Sequence, residues 1–130
     1  METEPSLQMA TFLAYPLLEG VIRRKLRQFI SAGGIVQKEF HVLKTNGQVK
    51  KYKPKDRIND LNHELRLLQN ETSCVSLKVK LTYLNENAFL FQDIRNWRWQ
   101  LLHGALTVGW TVSWHSLTLL LLTYVILLEM

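Results

Sequence analysis

Between Ala105 and Leu128 the chain carries no aspartate, glutamate, lysine or arginine, and the next charge is Glu129. A helix that is apolar on every side has two stable settings: enclosed by other protein, or crossing a bilayer. Ser113 is placed to start a helix running from Trp114 to Leu128. In a bundle, this 105–130 segment supplies the last helix, buried by the core and a dimer partner. In a tail-anchored protein, Trp110 to Leu128 approaches the roughly 20 residues that a bilayer needs. About ten Leu, Ile and Val residues then contribute roughly −3 to −6 kcal/mol toward insertion, offset in part by His115 and several Ser and Thr residues. The buried helix is the reading carried forward. The alternative is a C-terminal tail-anchored membrane interaction protein whose basic domain lies on the cytoplasmic side, near anionic lipid.

The rest of the chain suits the bundle. A length of 130 residues fits a single domain, 1–130, with a moderate core that a dimer would enlarge. Sixteen Lys and Arg against eleven Asp and Glu give a net charge of +5, which favours an anionic partner such as RNA or a membrane surface. Cys74 is the single cysteine. That excludes an internal disulfide and a multi-thiolate metal site, and it suits a reducing, cytoplasmic setting. Met1 to Pro5 is acidic and Pro16 interrupts the apolar run that follows, so no secretory signal is predicted. No Gly-rich phosphate loop, Ser-His-Asp order or paired-carboxylate cleft is legible, and neither a cofactor nor a metal is expected.

Residues 6–30 predict a first helix capped by Ser6, kinked at Pro16 and stopped by Ala32-Gly33-Gly34. Leu18, Ile22, Leu26 and Phe29 keep helical spacing, and Glu19 can pair with Arg23 at i,i+4. Asn46-Gly47 between short extended runs predicts a β-hairpin near residues 40–52. Lys44, Lys50, Lys51, Lys53, Lys55 and Arg57 make this the most basic stretch, with Tyr52 among them. Such a loop is either a solvated tip or an RNA contact in which Tyr52 stacks on an unpaired base. Residues 56–70 predict a second helix capped by Asp56, with Ile58, Leu61, Leu65 and Leu68 inward. His63-Glu64 lacks the second histidine of a zinc-protease motif, so His63 reads as a surface residue. Residues 72–91 fit a strand by alternation (Val75, Leu77, Val79, Leu81, Tyr83) or a helix by the spacing of Leu77, Leu81, Leu84 and Ala88, with Ser73 as cap.

The most unusual stretch runs from Asp93 to Gly104. As a helix it sets Leu90, Ile94, Trp97 and Leu101 on one apolar face, with Asn96, Trp99, Gln100 and His103 opposite. Gly104 is the residue type that ends a helix, which would leave His103 at its rim.

Arg98, four intervening residues, then His103 and Gly104 ("RWQLLHG") resembles the Arg-x4–6-His motif of the HEPN superfamily, small helical bundles that are often dimers. In that family a polar residue usually follows the arginine, whereas here Trp99 does. The resemblance implies an all-α, four- to five-helix bundle with the hairpin as an insertion, and it favours a helix over 72–91. It also implies a homodimer acting on RNA as a metal-independent endoribonuclease or a binding protein, in defence or toxin–antitoxin systems with an antitoxin partner, or a non-catalytic scaffold. Arg98 and His103 would be catalytic. Asn96, Gln100, Lys50, Lys51, Tyr52 and Lys53 would contact RNA.

Overall fold

The computed structural model describes residues 5–44, 46–102 and 109–129, with the side chains of 5–12, 99–102 and 109–114 outside the description. Five helices and one hairpin follow in the order α1 (Pro5–Lys25), β1 (Phe40–Leu43), β2 (Val49–Tyr52), α2 (Leu61–Glu71), α3 (Val75–Glu86), α4 (Leu90–Leu102) and α5 (Gly109–Leu128). This is a mostly helical chain with a small antiparallel hairpin.

α1 carries Pro16 internally, and Ser6 lies within the helix rather than at its cap. The helix ends at Lys25, earlier than the predicted 30. Ile30 leaves it to form an antiparallel bridge with Val36, and the carbonyl of Phe29 accepts from the amides of Gln37 and Lys38. The hairpin pairs Phe40 with Tyr52 and Leu43 with Val49. Asn46 Oδ1 accepts the Gln48 amide at 3.0 Å, and Gly47 takes φ 85°, the left-handed conformation that glycine adopts without strain.

The second helix starts later than Asp56. Asp60 is its cap, accepting from the amides of Asn62 and His63, while Asp56 accepts the Lys53 amide in the preceding turn. Residues 75–86 are helical. Cys74, not Ser73, stands at the cap and offers no side-chain bond there. Leu77 and Leu81 are buried, whereas Val75, Val79 and Tyr83 are exposed. The alternation that suggested a strand therefore records one buried pair flanked by solvent-facing apolar residues.

Leu18 and Ile22 of α1, Leu65 and Leu68 of α2, Leu77 and Leu81 of α3, Phe91 and Ile94 of α4, and Leu119, Leu122 and Ile126 of α5 form one continuous core. α1 packs chiefly on α5. Tyr15 and His115 lie against consecutive α4 residues, Arg98 and Trp97, while Glu129 shares a cleft with Lys25 and Phe29. The two helices therefore run in the same sense. α5 begins before Ser113, at Gly109, and over its described side chains, from His115 on, it is not buried all round: Leu117, Leu120, Leu121, Tyr124, Leu127 and Leu128 are exposed. Among the described residues no helix is long and apolar enough to cross a membrane.

Candidate nucleic-acid interface

Four charged side chains meet where α1, α2 and α4 converge. Arg23 donates from Nε to Oε1 of Glu64 at 2.8 Å and from Nη2 to Oε2 of Glu19 at 2.8 Å. Its remaining donors reach the carbonyls of Ala32 at 3.1 Å and Ile58 at 3.4 Å. Gly34 makes this possible. A Cβ there would lie 3.0 Å from Arg23 Nη2 and 3.1 Å from the Ile58 carbonyl oxygen, and its φ of 82° disfavours any side chain. Arg98 completes the cluster from α4, donating to the other oxygen of Glu19, with its guanidinium 5.7 Å from the Tyr15 ring centre. Of the predicted pairs, Glu19–Arg23 is present as drawn.

Burial governs the protonation of this cluster. Glu64 is fully enclosed, and its carboxyl is pushed up to about 7, chiefly by desolvation, against the pull of Arg23. The Tyr15 phenol is likewise raised by burial, and its hydroxyl has no hydrogen-bond partner among the described residues.

Beyond Arg98 the surface opens into a trough between the hairpin, the start of α2 and one face of α4. One recess of about 590 Å³ includes Lys50, Arg57, Asp60, Arg95 and Arg98 in its lining. An adjoining recess of about 650 Å³ adds Lys44, Asn62, His63 and Gln92, and shares Lys50, Asp60 and Arg95 with the first. Arg95 and Arg98 share a wall because residues three apart on a helix are neighbours. The acidic side chains of the trough are committed to the backbone: Asp60 caps α2 and also lies 3.5 Å from Arg95 Nε, while Asp56 holds the turn at Lys53. Among the described residues Lys44, Lys50 and Arg57 form no ion pair; the Lys50 ammonium lies 5.5 Å from the Tyr52 ring centre.

His63 is the residue that the sequence hid. Its side chain is 13% exposed and lies in the wall of the second recess rather than out in solvent. Its Nδ1 lies 2.7 Å from the Tyr52 hydroxyl and its Nε2 3.6 Å from Asp60. Burial lowers its pKa. Asp60 opposes that shift, and Arg95, Arg66 and Lys44 reinforce it, so the imidazole is neutral near pH 7. Tyr52 is pushed up to about 12, first by burial and then by Asp60, Glu64 and Asp56, so it keeps its proton.

The expected RNA contacts separate. Lys50 faces the trough. Lys51 instead lies 3.1 Å from Glu39, and neither Lys51 nor Lys53 lines either recess, because alternate residues of a strand face opposite sides. Tyr52 lines the first recess, but the residue is 5% exposed and its ring is stacked on Phe40 at 5.0 Å, which leaves little of the ring for a base to stack on. Asn96 is exposed and accepts from Gln92 Nε2 at 3.2 Å, while Gln92 Oε1 accepts from Asn62 Nδ2 at 3.1 Å. A chain of amides thus runs from Asn62 and Gln92, which line the second recess, out to the exposed Asn96. On the opposite face of α4, Trp97 stacks on buried His115 at 4.0 Å. The side chains of Trp99 and Gln100, and His103 as a whole, lie outside the described residues.

Compared with protein-family models, curated proteins and solved structures, the chain matches none.

Proposed function

We propose that this protein binds single-stranded RNA along the trough between its hairpin and α4. The observation that carries the reading is convergence: Lys50 from β2 and Arg95 and Arg98 from α4 line one recess, with Lys44 and Arg57 at its borders. A phosphodiester chain is the ligand that rewards several cations gathered on one recess. The amides of Asn62, Gln92 and Asn96 are suited to the edges of unpaired bases.

Arg98 can serve both the fold and the ligand. A guanidinium has five N–H donors, and Glu19 engages one of its nitrogens. The others have no ion-pair partner among the described residues and could stabilise charge on a phosphate, the role that the resemblance implies for Arg98 in metal-independent cleavage. In that chemistry His103 would take the 2′-hydroxyl proton or protonate the leaving oxygen.

Incubation of the protein with end-labelled single-stranded RNA in EDTA tests the two levels together. Binding with cleavage to a cyclic phosphate, lost in both Arg98→Ala and His103→Ala, supports the nuclease. Binding without cleavage supports a non-catalytic RNA-binding protein. Absence of binding at low salt rejects the proposal.

A further inference from the structure

Phe89, which joins α3 to α4, is unfavourable for the chain on two counts. Its φ of 55° lies in the left-handed region, which a bulky side chain occupies only under strain. The turn is fixed on both sides: the amides of Asn87 and Ala88 bond back to the Tyr83 carbonyl, and the Phe89 carbonyl accepts the Asp93 amide. Glycine or asparagine would hold this conformation with less strain. The residue is also 66% exposed and takes no part in the core. Neither the backbone nor the packing therefore accounts for phenylalanine here. Strain of this kind collects where a ligand is held.

Beside Phe89 lies a recess of about 450 Å³, separate from the two that form the trough. The exposed Leu43 gives it a second apolar wall. Asn70, Asn85 and the carboxylate of Glu86 supply donors and acceptors. Asn85 gives an amide hydrogen to Gln69 at 2.9 Å and keeps its Oδ1 unengaged among the described residues. The recess is continuous with the trough. Lys44 lines both, and Arg66 of the recess donates to Asn62 of the trough at 2.8 Å and to the Leu43 carbonyl at 3.0 Å. A flat apolar surface with polar groups around it is the setting that holds an unpaired base, and a carboxylate suits a base amino group, not a phosphate.

We propose that this recess takes one unpaired base of the RNA strand, stacked on Phe89, with its edge toward Asn70, Asn85 and Glu86. Lys44, at the join, holds the phosphate of that nucleotide while the rest of the strand follows the trough. The inference rests on the RNA-binding reading and adds to it the place where a base, not a phosphate, is held. It also assigns the stacking role to an aromatic outside the basic hairpin, where Tyr52 is occupied by Phe40.

The test is Phe89→Asn in the full chain, because asparagine suits the left-handed turn. Its midpoint of thermal unfolding should equal or exceed that of wild type, so a loss of binding would not reflect unfolding. Affinity for labelled single-stranded RNA should fall about tenfold, the effect of one lost stack. The slope of log affinity against log salt should not change, since no phosphate contact is removed. On an abasic ribose–phosphate strand of the same length, wild type and variant should bind equally. Equal binding of ordinary RNA by the two proteins overturns this inference alone and leaves Phe89 to a protein contact. A deficit of the same size on the abasic strand overturns it as well, because the ring would then act on the backbone. Failure of wild type to bind any RNA at low salt overturns the functional reading, and this inference with it.

Discussion

Arg98 donates to the buried carboxylate of Glu19 across 79 residues of chain, and this contact fastens α4 to α1. Glu19 is shared with Arg23, which also neutralises Glu64. The two arginines are therefore unequal. Removing Arg98 leaves Glu19 one partner, whereas removing Arg23 leaves Glu64 enclosed with none of its ion-pair contacts. Arg23→Met is expected to lose about 2–4 kcal/mol, because it strips hydrogen bonds from Glu19, from the Ala32 and Ile58 carbonyls and from Glu64, which is left holding its proton. Arg98→Ala should lose about 1 kcal/mol, since that side chain is partly solvated. Urea denaturation of both variants checks the order; equal losses would remove the distinction.

Glu19 also holds Arg98 back from a ligand. Glu19→Gln weakens that hold while preserving shape and a hydrogen-bonding oxygen. Single-stranded RNA should bind this variant several-fold more tightly at low salt, with the gain shrinking as salt rises. Fluorescence anisotropy reads the change, and weaker binding by a folded Glu19→Gln protein would show that Arg98 does not reach the ligand.

Glu64 predicts an unusual pH dependence. Its folded carboxyl is raised from the ordinary 4.5 to about 7, so the folded state holds the proton more tightly than the unfolded state. Its contribution is fully present below about 4.5 and is lost as pH rises through about 7. The total is on the order of 3 kcal/mol. Other carboxylates add their own pH dependence, so the comparison is between wild type and Glu64→Gln. The stability lost between pH 5 and pH 8 should be larger in wild type. Parallel curves for the two proteins would contradict the burial assigned to Glu64.

Tyr52 distinguishes core from ligand contact. Tyr52→Leu removes the stack on Phe40 and the bond to His63, so the midpoint of thermal unfolding should fall. RNA affinity, measured well below that midpoint, should stay within about twofold. A ring that stacked on a base would instead cost about 1–3 kcal/mol of binding, a loss of several-fold to a hundredfold.

Much of the fold was legible because its signals are local. The Asn46-Gly47 turn placed the hairpin, and the i,i+4 spacing of Glu19 and Arg23 predicted their pair. The spacing of Leu18, Ile22, Leu65 and Leu68 identified core positions. What escaped depends on contacts distant in sequence. His63 reads as a surface histidine until β2 folds back and sets Tyr52 against it, eleven residues away. Tyr52 among lysines suggests a wet loop, yet strand alternation turns its ring into the core while Lys51 faces out. Glu64 betrays its burial only once Arg23, 41 residues earlier, is seen to meet it. Arg95 belongs to no motif, and its position one turn before Arg98 is what places it in the trough.

The most direct measurement of the central claim is the salt dependence of single-stranded RNA binding in two paired variants of equal charge. Lys50→Gln/Arg95→Gln alters the trough; Lys51→Gln/Lys53→Gln alters the same basic region outside it. Each phosphate contact contributes about 0.7 to the slope of log affinity against log salt for a single strand. The trough pair should therefore bind more weakly and lose about 1.4 from that slope, while the outer pair keeps nearly the wild-type affinity and slope. Equal losses in the two pairs would mean that net charge alone attracts the RNA, and the trough would not be its site.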